Sequence, residues 1–222
     1  MKYLRALILG VALLSTATAA QAATLTFDFE HVISGDTPDG TPPWLSATFT
    51  DTSEGVLLTL AAAGLTGQDF ITEWNFNNTL GDLTGLDYLY TNVTGVTELT
   101  SFSAGLNDAV LAGTGARYDL GLRFATANNQ GGVNRFMGGD LATILLFGLD
   151  DLTAESFNAL SSPASKAYLA EAKIQGVGSN ALGSSWIVPD PGPAPVPEPG
   201  TMILLGAGAF GLAIYGKRRK NA

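Results

Sequence analysis

Apolar and polar side chains alternate strictly along two parts of this chain, residues 24–30 and 116–124. In the first part Leu25, Phe27 and Phe29 fall on one side, and threonine and acidic residues fall on the other. A period of two residues is typical of a β-strand with one buried face. Shorter runs of this kind recur between clusters of Gly, Asn, Asp and Ser, which favour turns. The pattern therefore predicts a chain of short strands.

The predicted strands are residues 24–30, 45–50, 56–60, 72–76, 88–93, 96–102, 116–124, 143–148, 168–175 and 185–188. We expect hairpins across residues 51–55 and across Thr94 and Gly95. We also expect Thr153 to cap a short helical turn. Because no helices alternate with the strands, the predicted fold class is all-β, an antiparallel β-sandwich of jelly-roll type. Its predicted core is Phe27, Phe29, Phe49, Leu58, Leu60, Trp74, Phe76, Tyr118, Leu120, Leu122, Phe124, Ile144 and Leu146.

The N-terminal residues 1–22 have the pattern of a secretory signal peptide. Lys2 and Arg5 precede an apolar stretch at residues 6–14, and small residues follow. Ala20 and Ala22 fit the small-residue positions of a signal-peptidase site, so we expect cleavage after Ala22. The apolar stretch is short for the alternative, an uncleaved anchor. The predicted β-domain then occupies residues 23–188.

The C-terminal residues change from proline-rich to apolar to basic. Prolines alternate with other residues from 189 to 199, which predicts an extended linker at 189–196. Residues 201–216 carry no charge, but a helix of that length spans only about 24 Å, short of the roughly 30 Å of a bilayer core. A basic end at residues 217–220 would stay cytoplasmic, so the β-domain would face outward. We therefore expect a transient transmembrane helix in a sorting segment at 197–222.

Three features in this order against the C-terminus carry a family resemblance. Pro197, Glu198 and Pro199, the apolar run, and the basic end Lys217, Arg218, Arg219 and Lys220 resemble the PEP-CTERM sorting signal of Gram-negative bacteria. The resemblance implies that an exosortase, an integral-membrane transpeptidase, cuts near Pro-Glu-Pro and delivers the body to the cell surface or exopolysaccharide matrix. Residues 168–188 also resemble the closing strands of other PEP-CTERM ectodomains, which implies a shared sandwich. An ordinary tail anchor is the alternative.

Composition and charge narrow the chemistry of the body. Five of the eleven basic residues oppose all twenty acidic residues between Asp28 and Glu198, a net charge of −15. Because phosphate binding needs a basic face, we expect no nucleic-acid partner. The chain has no cysteine, which excludes disulfides, thiolate catalysis and cysteine-based zinc sites.

Candidate catalytic and binding residues are few. His31 is the single histidine, and no Gly-x-Ser-x-Gly segment accompanies it. Paired carboxylates such as Asp28 and Glu30 are compatible with glycoside hydrolysis, although i, i+2 pairs on a strand share a face by chance. Two acidic loops offer hard oxygen ligands for Ca²⁺, and turn formation explains them equally well. The acids in question are Asp36 and Asp39 in one loop, and Asp150 and Asp151 in the other.

Three functions remain open at this point. The leading hypothesis is a non-enzymatic surface or matrix protein that takes part in adhesion or polysaccharide binding. Trp44 and the Asn- and Gly-rich residues 128–132 are the expected places for a sugar site. The alternatives are a carboxylate-based glycoside hydrolase of the matrix and a Ca²⁺-bridged structural coat protein. We expect no cofactor other than Ca²⁺, no catalytic residue, and exosortase and the inner membrane as transient partners.

Overall fold

A computed structural model of the chain describes residues 22–95, 97–110, 115–127, 134–162 and 167–189, without the side chains of residues 108–110. All of these belong to one compact unit that ends at Pro189. The predicted signal peptide up to residue 21 and the predicted sorting helix 201–216 lie outside the described residues. Within the described ranges, no helix is long and apolar enough to span a membrane.

The described residues form eleven strands and a single-turn 3-10 helix at Ala154–Phe157. In chain order the strands are β1 (Thr24–Gly35), β2 (Leu45–Asp51), β3 (Val56–Ala61), β4 (Phe70–Phe76), β5 (Asp87–Thr94), β6 (Leu99–Val110), β7 (Arg117–Phe124), β8 (Phe136–Met137), β9 (Leu141–Phe147), β10 (Ala170–Val177) and β11 (Gly183–Pro189). Every predicted strand overlaps an observed one, and the two-residue β8 was not predicted. The prediction of an all-β antiparallel fold is confirmed.

The strands hydrogen-bond into one sheet in the order β5-β9-β3-β2-β1-β11-β10-β4-β7-β6, with β8 beside β4. The ladders are antiparallel. The division of these strands into the two packed sheets of a jelly roll stays a prediction. The hairpin of β2 and β3 across residues 51–55 is confirmed, and the hydroxyl of Thr52 donates to the Gly55 carbonyl at 2.8 Å within its turn.

The sheet curls until it nearly closes on itself. Phe27 of β1 and Phe49 of β2 both contact Phe76 of β4, with ring centroids 6.2 and 5.1 Å apart, although β4 is not their neighbour in the sheet. The rings of Tyr88 on β5 and Phe102 on β6 stack at 4.1 Å, so the two end strands meet through side chains. The apolar interior therefore lies inside one curved sheet.

The predicted hairpin of β5 and β6 is wrong. Within the described residues β5 pairs with β9 and β6 pairs with β7, and no ladder joins β5 to β6. The alternation that identified each strand carries no information about its partner. The partners are set by burial of the common core, which brings strands together from distant parts of the chain.

The predicted helical turn is confirmed and closes part of the interior. The backbone N–H of Thr153 donates to the Ser156 hydroxyl at 3.1 Å, and the N–H of Ala154 donates to a carboxylate oxygen of Asp51 at 2.6 Å. These bonds satisfy donors at the start of the turn. They direct Phe157 inward, where its ring stacks on Phe49 at 4.2 Å.

All thirteen predicted core residues are buried, but Tyr118 does not share the main core with the others. Tyr118 packs with Ala116 and Trp186 in a second cluster, which the half-buried Ile33 also joins. The expectation that Ala116 and Tyr118 share one face with Leu120 is therefore wrong. The ladder between β6 and β7 shifts register between Ala104 and Ala109, the partner of Tyr118, and such irregularities re-aim side chains.

Candidate functional site

The outer face of the sheet carries a row of five residues that crosses five strands, and three of these residues are charged. The row is defined by successive cross-strand pairs that start on β1 and end on β7. Directly paired residues of an antiparallel ladder project to the same face. We call this set the charged row: Ser34, Trp186, Lys173, Glu73 and Arg123. Within it the Lys173 ammonium lies 4.9 Å from the centre of the Trp186 ring.

An open groove lies beside the charged row, at the ends of β4, β10 and β11. Gln175 pairs with Ser184 on one side and with Phe70 on the other, so these residues form the next row of the same face. The groove encloses about 500 Å³. Its lining is Gln68, Phe70, Thr126, Arg135, Gln175, Gly176, Ala181, Leu182, Gly183 and Ser184. Amide, hydroxyl and guanidinium groups therefore surround a surface concavity.

Arg135 is the one charged residue of this lining, and its guanidinium is held in place. Its Nε and Nη2 atoms both donate to the Thr126 carbonyl, at 3.1 and 2.7 Å. Its central carbon lies 3.9 Å above the Phe70 ring. A guanidinium has five N–H donors, so the two bonds to Thr126 leave further donors for a ligand. The aromatic stacking fixes the plane in which they point.

One exposed apolar side chain, that of Leu182, contributes to the lining of this groove. Leu182, in the turn between β10 and β11, is 89% exposed and lines the groove. Most other apolar residues of these strands face the interior. The groove is therefore a hydrogen-bonding surface with one apolar contact at its rim.

A buried pair of polar side chains lies on the same side of the sheet. The Tyr118 hydroxyl donates to Oε2 of Glu171 at 2.9 Å, and Glu171 is fully buried. Burial raises the pKa of Tyr118, and the neighbouring Glu171 charge raises it further. The phenol therefore keeps its proton across the physiological range, which favours a structural hydrogen bond over proton transfer.

The structure does not bring the predicted calcium ligands together. Asp39 lies next to Asp69, whose Oδ2 accepts the Asp39 backbone N–H at 2.7 Å. Asp36 lies beside the β10–β11 turn, with its Oδ2 3.0 Å from the position that a Cβ on Gly183 would take. Asp150 and Asp151 are exposed after β9. In the part of the chain that the structure describes, no three His, Asp or Glu side chains form a group that could hold a metal ion.

Asp69 is a titratable residue that the sequence did not single out. It is 1% exposed, and its Oδ1 has no hydrogen-bond partner. Burial raises its pKa, the Asp39 N–H opposes that shift, and the Asp39 charge adds to it. Its hydrogen bond ties the loop after β1 to the start of β4, a structural reason for its burial.

One of the two predicted sugar-binding places is buried, and the other lies outside the described residues. Trp44 is 4% exposed and packs in the main core, so it offers no platform to a ligand. Residues 128–133 lie outside the described residues, so the predicted Asn- and Gly-rich site stays a prediction. The histidine expected at the end of the first strand is within β1, and its Nε2 lies 3.6 Å from Oε1 of Glu30.

The sequence missed the groove residues Gln68, Arg135 and Gln175. One signal could have found Arg135, because only five cations occur in an acidic body and each is therefore a candidate for function. The alternation along residues 168–175 also places Lys173 and Gln175 on the face opposite Ala172 and Ile174, as observed. Which strands lie beside β10 was not readable from that pattern.

Comparison with known proteins identifies the C-terminal segment. Residues 195–220 match the PEP-CTERM protein-sorting motif, and this confirms the resemblance seen at Pro197, Glu198, Pro199 and the basic end. The motif implies export, a membrane-anchored stage and processing by an exosortase. The chain therefore carries a PEP-CTERM sorting motif at its C-terminal end. Neither the curated proteins nor the solved structures contain a significant match to the chain.

Proposed function

We propose that the chain is a non-enzymatic protein of the cell surface or exopolysaccharide matrix, and that its β-domain binds polysaccharide in the outer-face groove. The sorting motif supports the destination. The hydrogen-bonding lining of the groove carries the binding proposal. No cofactor takes part in this function.

The side chains of the groove suit the chemistry of sugars. Each sugar hydroxyl can donate and accept a hydrogen bond, and the amides of Gln68 and Gln175 and the hydroxyl of Ser184 can do both in return. The groove is open on one side, so a polymer can lie along it without threading through the fold. Gln175 and Ser184 lie on paired β-strands, which hold these two side chains in position before a ligand arrives.

The first alternative is a carboxylate-based glycoside hydrolase. Such enzymes need two carboxyl groups that face each other across the scissile bond. Arg135 is the charged member of the groove lining, and the remaining lining residues are uncharged. The groove therefore favours binding over hydrolysis, and release of reducing ends from a bound polysaccharide is the assay that separates the two functions.

The second alternative is a calcium-bridged coat protein, and one observation favours it. Asp69 and Asp39 are neighbouring acidic groups, and Oδ1 of the buried Asp69 has no hydrogen-bond partner. A bound cation would stabilise such a pair. Under this alternative a chelator lowers the melting temperature of the protein and added Ca²⁺ restores it. An unchanged melting temperature contradicts the bridge.

The binding proposal is tested with variants of the groove. Gln175→Ala and Ser184→Ala together are expected to lower retention of the protein on exopolysaccharide in affinity electrophoresis at least tenfold. Thr48→Ala is the matched control, because Thr48 pairs with Thr26 on β1 and β2, away from the groove. Equal retention of wild type and the groove variant would show that the groove is not the binding site.

The destination is tested separately by changing the sorting motif. Replacing Pro197, Glu198 and Pro199 with alanine is expected to leave the uncleaved chain in the inner-membrane fraction. The wild-type body is expected in the surface or matrix fraction of the same cells. A variant body that still reaches the matrix contradicts the proposed route.

A further inference from the structure

We infer that the polysaccharide bound in the groove is an acidic one whose sugars carry carboxylates, and that Arg135 binds a carboxylate while Lys173 and Arg123 extend the contact along the charged row. This inference rests on the proposed polysaccharide binding and names its substrate class. Three observations carry it: the position of the cations, the absence of an ion pair within 4.0 Å at any of them among the described residues, and the geometry of Arg135.

The cations of the body collect on one face of the sheet. The structure describes four of the five basic residues between Asp28 and Glu198, namely Arg117, Arg123, Arg135 and Lys173. Of these, Arg135 lines the groove, and Lys173 and Arg123 stand in the adjacent charged row. The body has twenty acidic residues, so five basic residues placed at random would each lie among carboxylates and would not collect on one face.

These three cations are not occupied by ion pairs. Among the described residues, the contact within 4.0 Å between a basic and an acidic side chain is that of His31 with Glu30. Arg135 and Lys173 instead lie over the rings of Phe70 and Trp186. A cation over an aromatic face keeps its outer side open to solvent or to a ligand. The charges of Arg135 and Lys173 are therefore available to an anion, and Arg123 has an exposed side chain.

The fixed guanidinium of Arg135 suits a carboxylate better than a hydroxyl. Its bonds to the Thr126 carbonyl and its stacking on Phe70 remove the rotational freedom that a free arginine would lose on binding. A planar fork of N–H donors matches the two oxygens of a carboxylate, and such charge-assisted bonds are about twice as strong as neutral ones. A neutral sugar would use only part of this capacity.

The charged row lengthens the site in the direction across the strands. Arg123 and Lys173 are separated by one intervening strand, which places their backbones about 10 Å apart. Lys173 and Gln175 are two residues apart on β10, a rise of about 7 Å. A polymer with a carboxylate on successive sugars can therefore contact the groove and the row together.

Acidic side chains near the site limit its charge without cancelling it. Glu73 stands between Arg123 and Lys173 in the row, and Asp36 lies beside Gly183 at the rim of the groove. Glu171 on β10 adds a third carboxylate to this face, but it is fully buried and accepts a hydrogen bond from the Tyr118 hydroxyl. Charges beyond about 8 Å are largely screened at physiological ionic strength, so most acidic residues of a body with net charge −15 act only weakly on an anion bound here.

The test compares two polymers that differ only in charge. The full chain in detergent micelles is titrated with polygalacturonate and with the same polymer after chemical reduction of its carboxyl groups. We expect at least tenfold tighter binding of polygalacturonate at 0.15 M salt, and loss of most of this preference in 1 M salt. Equal binding of the two polymers would overturn the acidic specificity and leave the polysaccharide function standing. Failure of both polymers to bind would overturn both.

Variants assign the preference to residues. Arg135→Gln is expected to lower affinity for polygalacturonate about tenfold more than affinity for the reduced polymer. Lys173→Gln should act in the same direction. It leaves the contacts of Arg135 with Thr126 and Phe70 intact, so it tests the site even if Arg135→Gln fails to fold. Arg117→Gln is the matched control, because it removes the same charge from β7 outside the groove and the charged row. An equal effect of Arg117→Gln would show that net charge, not this site, sets the preference.

Discussion

Phe49 offers the most direct test of the single core inside the curved sheet. Its side chain is fully buried, and its ring lies 6.1 Å from that of Phe27, 5.1 Å from that of Phe76 and 4.2 Å from that of Phe157. The contacts thus join β1, β2, β4 and the 3-10 turn. Phe49→Ala removes all three ring contacts and leaves a cavity where the four segments meet.

The expected cost follows from known large-to-small substitutions. Replacing a buried Phe with Ala costs about 3–5 kcal/mol, and ring pairs add about 0.5–1.5 kcal/mol each, so we expect about 4 kcal/mol or more at this site. With an m-value of about 2 kcal/mol per molar urea, that loss lowers the unfolding midpoint by about 2 M. Total domain stabilities are about 5–15 kcal/mol, so the variant would keep only part of its stability.

The assay is urea unfolding of residues 23–189, followed by tryptophan fluorescence. Trp44, Trp74 and Trp186 are all at most 6% exposed, so their emission reports exposure of both clusters. Leu89→Ala is the matched control, because Leu89 on β5 is 60% exposed and should cost less than about 0.5 kcal/mol. A cost below about 1.5 kcal/mol for Phe49→Ala would refute the closed core, since it would mean that these segments do not depend on one another.

Three further predictions concern the backbone, the buried polar pair and pH. Gly64→Ala is expected to cost at least about 3 kcal/mol, because its Cβ would lie 2.2 and 2.3 Å from two backbone oxygens. Gly139→Ala, which meets open space at φ +87°, should cost only about 1–2 kcal/mol by thermal unfolding, and equal losses would contradict the steric argument. Tyr118→Phe is expected to cost about 1.5–3 kcal/mol in urea because it leaves a buried carboxylate oxygen without its donor, whereas the exposed Tyr88→Phe should be nearly neutral. Burial raises the pKa of Asp69 in the folded protein, so folding favours its protonated carboxyl group. The stabilisation by this protonated group is complete below the unfolded-state pKa of about 3.9, and it is lost as the pH rises through the folded-state pKa. Asp69→Asn should therefore make the unfolding free energy depend less on pH above about pH 4, and parallel pH curves for the two proteins would show that Asp69 does not cause this dependence.

The sequence predicts the strands of this fold better than their arrangement. Alternation identified β2 and β3 almost to the residue, because their inward Leu, Phe and Val side chains are buried at every second position. The same rule fails for Tyr118, which lies beside a register shift in the neighbouring strand. It also fails for the partners of β5, since pairing depends on burial between residues far apart in the chain.

The candidate site was less predictable than the fold for a related reason. Arg135 precedes the two-residue β8, where no alternation marks a strand. Its role comes from Phe70, which the ladder of β4 with β8 brings close to it, and from the Thr126 carbonyl in the loop after β7. Trp44 was the more obvious sugar platform in the sequence, yet the demands of the core bury it. A ligand site built from side chains of several strands exists only once the strands are paired.

The groove and the C-terminal end of the compact unit lie at opposite ends of β11. The groove uses Gly183 and Ser184 at the start of β11, whereas the compact unit ends at Pro189, the last residue of that strand. Five residues of extended chain separate Ser184 from Pro189 by about 17 Å. A polysaccharide bound as proposed would therefore lie about one strand length from Pro189.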